Sequence, residues 1–88
     1  MSSWKVVLTR RAAKELKRIE RADQSRIVGA IELLRHHPYP PKAQKLATRE
    51  AWRIRVGDYR VIYLVEGATV TITVIRIAHR REAYRTRL

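Results

Sequence analysis

The apolar pattern changes period half-way along the chain, and three prolines mark the change. Before Pro38, Pro40 and Pro41, apolar residues recur at helical spacing. After them they alternate with polar residues. A helix stripe and a strand face cannot share one pattern. The chain is therefore read as helices first and an antiparallel sheet second, inside one domain spanning residues 1–88.

Trp4 to Leu8, with β-branched Val6 and Val7, reads as a short opening strand. Thr9 is placed to cap the helix that follows. Ala12, Ala13, Leu16 and Ile19 form one stripe from Arg10 to about Ala22, with Arg11, Lys14, Lys17, Arg18 and Arg21 on the other face. Asp23 is read as a second cap. Ile27, Ala30, Ile31 and Leu34 give a second stripe from Gln24 to about His36. The prolines then open a loop of about ten residues. Three hairpin-linked strands follow, over 52–56, 59–65 and 69–78, and a basic tail ends in a short helix. The expected fold is α+β, in the order β-α-α-β-β-β plus a short C-terminal helix. The helical hairpin packs on one face of a mainly antiparallel sheet.

Gly57-Asp58 suits a two-residue type II′ turn. That turn sets Val56 opposite Tyr59, Arg55 opposite Arg60, and Trp52 opposite Tyr63. Trp52, Ile54, Val56, Tyr59, Val61 and Tyr63 then share the helix side, with Val70, Ile72 and Val74 joining them from the last strand. Arg53, Arg55 and Arg60 are expected on the other side, solvent-exposed, with Ile75, Ile77 and His79 beside them if the last strand stays regular. A polar strand face is ordinary, and one or two arginines need no further reason. Three converging ones are costly, because like charges directly opposite destabilise a sheet. They suit an anion such as a phosphodiester.

The charge balance points the same way. Twenty Lys and Arg, fifteen of them Arg, stand against eight Asp and Glu, for a net charge of +12. Such a surface expects nucleic acid or an acidic protein. It argues against an enzyme built on a carboxylate pair. Cysteine is absent, which removes disulfides and Cys-based zinc sites and fits a reducing cytosol. No membrane span or secretory signal is expected, since the longest apolar runs are about five residues. His36-His37 reads as a cation pair at a helix end. No GxGxxG, P-loop or GxSxG motif and no two-metal carboxylate cluster is present, so no cofactor and no metal is expected. The tail concentrates His79, Arg80, Arg81 and Tyr84 just past a strand bordering the arginine side. Metal-free phosphodiester cleavage needs proton-transfer groups, for which His and Tyr serve, and cations for the phosphorane charge, for which Arg serves.

Arg53-Ile-Arg55-Val-Gly-Asp-Tyr59-Arg60-Val-Ile-Tyr63, followed by His79-Arg80-Arg81-Glu-Ala-Tyr84-Arg85, resembles the RelE branch of the RelE/ParE toxin superfamily. Trp4-Lys-Val-Val-Leu-Thr-Arg-Arg-Ala-Ala-Lys-Glu-Leu resembles its opening strand and helix. The likeness covers about residues 4–85. It implies a cytoplasmic toxin of a type II toxin–antitoxin pair that cuts mRNA in the ribosomal A site, by attack of the 2′-hydroxyl on the neighbouring phosphate. It also implies an acidic RelB-like antitoxin as partner, and operator DNA as a target of the toxin–antitoxin complex alone. Family catalytic positions fall on Arg53, Arg55, Arg60, Arg80 and Tyr84. We read Arg60, Arg80, Tyr84 and His79 as catalytic, and Arg53, Arg55 and Arg81 as substrate-binding. The enterobacterial RelE type has lysines where this chain has Arg53 and Arg55, which makes His79 a substitute candidate for the base. Two alternatives remain open at this point: a ParE-like inhibitor of DNA gyrase without nuclease activity, and a plain basic nucleic-acid-binding module.

Overall fold

Five strands form one sheet in the order β1-β5-β4-β3-β2. The computed structural model describes residues 3–46 and 50–83. Its elements are β1 (Lys5–Leu8), α1 (Arg10–Lys17), α2 (Arg21–Leu34), β2 (Gln44–Lys45), β3 (Ala51–Val56), β4 (Tyr59–Glu66), β5 (Thr71–His79) and α3 (Arg80–Ala83). β1 runs parallel to β5, and every other pair is antiparallel. The expected α+β class and element order hold, with one addition. β2 lies inside the expected loop, and two residues are too few to show any periodicity.

Thr9 caps α1 as expected: its hydroxyl oxygen accepts from the Ala12 N–H at 3.1 Å. The helix stops at Lys17, earlier than its apolar stripe suggests. The Leu16 carbonyl, left without a helical donor, accepts instead from the Gln24 side-chain amide at 2.9 Å and from the Ile19 N–H. That cross-link lets the chain turn without Gly or Pro. α2 begins at Arg21, so Asp23 lies in its first turn rather than at its cap.

Ala12, Ile27, Ile31 and Leu34 from the helices meet Ile54, Val61, Tyr63, Ile72, Val74 and Ile77 from the sheet in one core. Trp52, Val56 and Tyr59 pack on its margin, so the helix-side residues expected from β3 and β4 are all in place. The Tyr63 hydroxyl crosses the core to donate to the Pro38 carbonyl at 2.8 Å, and Tyr39 packs against Trp52 with ring centroids 4.8 Å apart. These contacts hold the proline loop against β3 and β4.

The last strand departs from the expected parity twice. Val70 is not in the core. It is 42% exposed and left-handed (φ 49°) after the 3-10 turn Gly67–Thr69, and β5 starts one residue later. Further on, the register slips: Tyr63 pairs with Val74 but Ile62 pairs with Arg76, leaving Ile75 as an extra residue. A bulge of this kind re-aims everything beyond it. Ile77 and His79 therefore lie opposite Val61 and Tyr59 on the helix side, not with the arginines.

β1 pairs with β5 only as far as Val74. Past that point α1 serves the bare edge. The Glu15 carboxylate accepts from the Ile77 N–H at 2.8 Å and from the Arg76 guanidinium at 2.9 Å. Among the described residues no helix is long and apolar enough to cross a membrane.

Candidate nucleic-acid interface

The β3–β4 hairpin has the register that a two-residue turn demands. Val56 faces Tyr59, Arg55 faces Arg60, Arg53 faces Ile62 and Trp52 faces Tyr63. Gly57 has φ of 59°, while Asp58 is not among the positive-φ residues. A positive first and negative second position is the type II′ pattern, which favours Gly first. Arg53, Arg55 and Arg60 thus share the face opposite α1 and α2.

Their exposures differ. Arg55 is exposed and Arg53 half-buried. The expectation of an exposed Arg60 fails, because that residue is only 4% exposed. It sits on β4, an inner strand, between Arg55 on one side and Ala78 on the other, and α3 lies against β4 and β5. Ile62, two residues along the same face, is buried as well. This face is therefore part floor and part surface.

Gln44 is the site residue that the sequence did not reveal. It lies directly opposite Arg53 in the β2–β3 pair, and its side-chain carbonyl accepts from the Arg53 guanidinium Nε at 3.2 Å and from a terminal nitrogen as well. Pro41, Lys42, Gln44, Arg53 and Arg55 line a cleft of about 390 Å³. Two arginines and a lysine converge there with no carboxylate among the lining residues.

α3 is pinned beside the hairpin turn, because the Arg80 N–H donates to the Asp58 carbonyl at 2.7 Å. Exposed Arg80 and Arg81 therefore leave the sheet at the end that carries Arg55 and Arg60. His79 stays apart from them. Its ring meets Tyr59 edge-on at 5.4 Å, next to Glu15, Arg18, Ile19 and Ile77. Its Nδ1 accepts from the Arg81 N–H at 3.3 Å, so it caps α3 from the helix side of the sheet. Tyr84 lies outside the described residues. Among the described residues no three His, Asp or Glu side chains come together as a metal site.

The model for the ParE toxin of type II toxin–antitoxin systems matches residues 6–84. The chain belongs to this family. Within the wider RelE/ParE superfamily, its fold is similar to solved toxins from distant sources. Against the archaeal RelE–RelB complex from Pyrococcus horikoshii it is 26% identical with a TM-score of 0.79, covering 88% of this chain and 94% of the other. Against the RelB–RelE complex from Methanococcus jannaschii it is 28% identical with a TM-score of 0.73, covering 90% and 95%. The YoeB/ParE toxin from Agrobacterium tumefaciens shares the fold at 20% identity and a TM-score of 0.75, covering 85% and 96%. No curated protein matches the chain. The ParE-family assignment makes it a type II toxin.

Proposed function

We propose that the chain is a ribosome-dependent endoribonuclease toxin that cleaves mRNA in the A site and stops translation. The observation that supports this reading is that Arg53, Arg55 and Arg60 share one sheet face and Arg80 and Arg81 follow β5 beside the β3–β4 turn, with no carboxylate lining the cleft at Arg53 and Arg55. Arg53, Arg55 and Arg81 hold the RNA backbone through forked phosphate contacts. Arg60, withdrawn from water, and Arg80 take up the charge that develops on the phosphorane. The 2′-oxygen forms a bond to the adjacent phosphorus as its proton departs, and the bond to the 5′-oxygen breaks as that oxygen gains a proton. Tyr84 handles one of these transfers. His79, which caps α3 from the other face, positions Arg80 and Arg81. Guanidinium groups supply the positive charge, so the step runs without a metal. The ribosome holds the mRNA in line, which one small face does not do alone. An acidic RelB-like antitoxin is the partner that silences it, and operator DNA is bound by their complex.

A second reading follows from the family itself: inhibition of DNA gyrase, the action implied by the ParE branch. In vitro translation with mRNA end-mapping, run beside a gyrase supercoiling assay, separates the two. The nuclease reading predicts A-site cuts that vanish when the attacking nucleotide is 2′-deoxy, and unchanged supercoiling. Inhibited supercoiling with intact mRNA establishes the gyrase reading instead.

A further inference from the structure

The bulge in β5 puts His79 on the helix side of the sheet, away from Arg53, Arg55 and Arg60. A recess of about 210 Å³ opens there, with Glu15, Arg18, Tyr59 and His79 among its walls. Tyr59, the cross-strand partner of His79, meets the imidazole at right angles with ring centroids 5.4 Å apart. Nδ1 of the ring accepts from the Arg81 N–H at 3.3 Å. His79 is thus the residue that starts α3, and its ring nitrogen does what an Asn or Ser oxygen does at other helix starts. Nδ1 accepts only in the neutral ring with its proton on Nε2. α3 has four residues, too few to hold itself together. Two bonds tie its start: Arg80 N–H to the Asp58 carbonyl at 2.7 Å, and Arg81 N–H to His79. The acceptor of the first does not titrate, and that of the second does.

We propose that neutral His79 is a positioning residue whose protonation unties α3, so that the hold on Arg80 and Arg81 weakens in acid. The consequence for RNA rests on the nuclease reading above and adds its regulation by pH. A protonated ring donates at both nitrogens and gives up the Arg81 N–H. The charges around it reinforce that loss. Arg18 from α1 and Arg80 and Arg81 from α3 all oppose a further cation nearby. The carboxylate in the recess, Glu15, is already engaged by Arg76 and by the Ile77 N–H. Asp58 meets α3 through its backbone carbonyl, and Tyr59 is the remaining titratable neighbour. The same placement argues against His79 as the base. A base must come within about 3 Å of the proton it takes, whereas this ring faces α1 and is occupied at Nδ1.

The test is an NMR titration of the full chain from about pH 8 to about pH 5, the span in which histidines change charge. Single-turnover cleavage on stalled ribosomes is measured at the same pH values. Cα shifts of residues 80–83 should move from helical toward random-coil values, with the midpoint of the His79 ring. Cleavage should fall about 3- to 10-fold through that midpoint, the worth of one helix cap. His79→Asn keeps an acceptor that does not titrate. It should restore the high-pH rate to within about 3-fold of wild type and abolish the acid fall. His79→Ala, verified as folded by circular dichroism, should cleave at the low rate at both ends. A loss of about 100-fold in His79→Asn would make the ring a proton-transfer group instead. An acid fall that survives in His79→Asn would assign it to another group, such as Glu15. Helical shifts that ignore the state of the ring would remove the tie altogether. Intact mRNA at every pH would sink the nuclease reading, while the shifts of residues 80–83 would still decide whether His79 holds α3.

Discussion

Arg55 and Arg60 face each other across β3 and β4, yet Arg55 is exposed and Arg60 is buried. Directly opposed residues have Cβ atoms about 5 Å apart, and like charges there repel. In the proposed reaction a phosphate held between the two offsets that repulsion. Burial strengthens the effect, because a guanidinium withdrawn from water interacts more strongly with a phosphate. In the proposed function the solvent-facing Arg55 captures RNA and the inner Arg60 stabilises charge.

Gln44 should matter for binding rather than for chemistry. It braces the Arg53 guanidinium from the edge strand. Gln44→Ala should raise KM for ribosome-bound mRNA about 3- to 10-fold, in line with the loss of one hydrogen bond of about 1 kcal/mol, and leave kcat unchanged. A fall in kcat at constant KM would give Gln44 a different role.

Glu15 should be a stability residue. It serves the β5 edge beyond the reach of β1 and pairs with Arg76, which is 5% exposed. Glu15→Ala should cost about 2–3 kcal/mol, the range for hydrogen bonds to charged groups, and Glu15→Gln less, since it keeps an acceptor for Ile77. Denaturant melts that place both variants at wild-type stability would refute this.

Burial, aided by nearby Tyr39, pushes the Tyr63 phenol up to about 12 from 10.0. The unfolded chain ionises first, so the phenol's contribution is complete below about pH 10 and lost as pH rises toward 12. Two pKa units correspond to about 2–3 kcal/mol. Tyr63→Phe should be less stable at neutral pH, having lost its bond to Pro38, and should show a shallower alkaline decline. Equal alkaline slopes for the two proteins would contradict the assignment.

Val70 holds a left-handed conformation that β-branched residues avoid. The strain is about 1–2 kcal/mol, and glycine returns part of the gain as chain entropy. Val70→Gly should raise the melting temperature by a few degrees. A lower melting temperature would show that the side chain contributes more at this turn than its exposure suggests.

Much of this was legible in the sequence where local chemistry decides. Gly57-Asp58 alone set the turn, the register and the side of the sheet on which Arg53, Arg55 and Arg60 lie. Features set by tertiary context escaped it. The bulge at Ile75 interrupts an alternation that looks continuous in letters, and it carries His79 to the other face. The burial of Arg60 depends on its place in an inner strand, which is a tertiary fact. α1 ends where a distant Gln24 takes the Leu16 carbonyl, not at a breaker residue. β2, and with it Gln44, is too short to leave a pattern.

The central claim is that the arginine face performs the cleavage, with Arg60 at its heart. The direct test is the single-turnover rate of A-site mRNA cleavage on stalled ribosomes for Arg60→Ala, with thermal melts to verify the fold. Loss of a charge-stabilising donor predicts a rate lower by at least about 100-fold in a folded protein. Cleavage at the wild-type rate would remove Arg60 from the mechanism and the account with it.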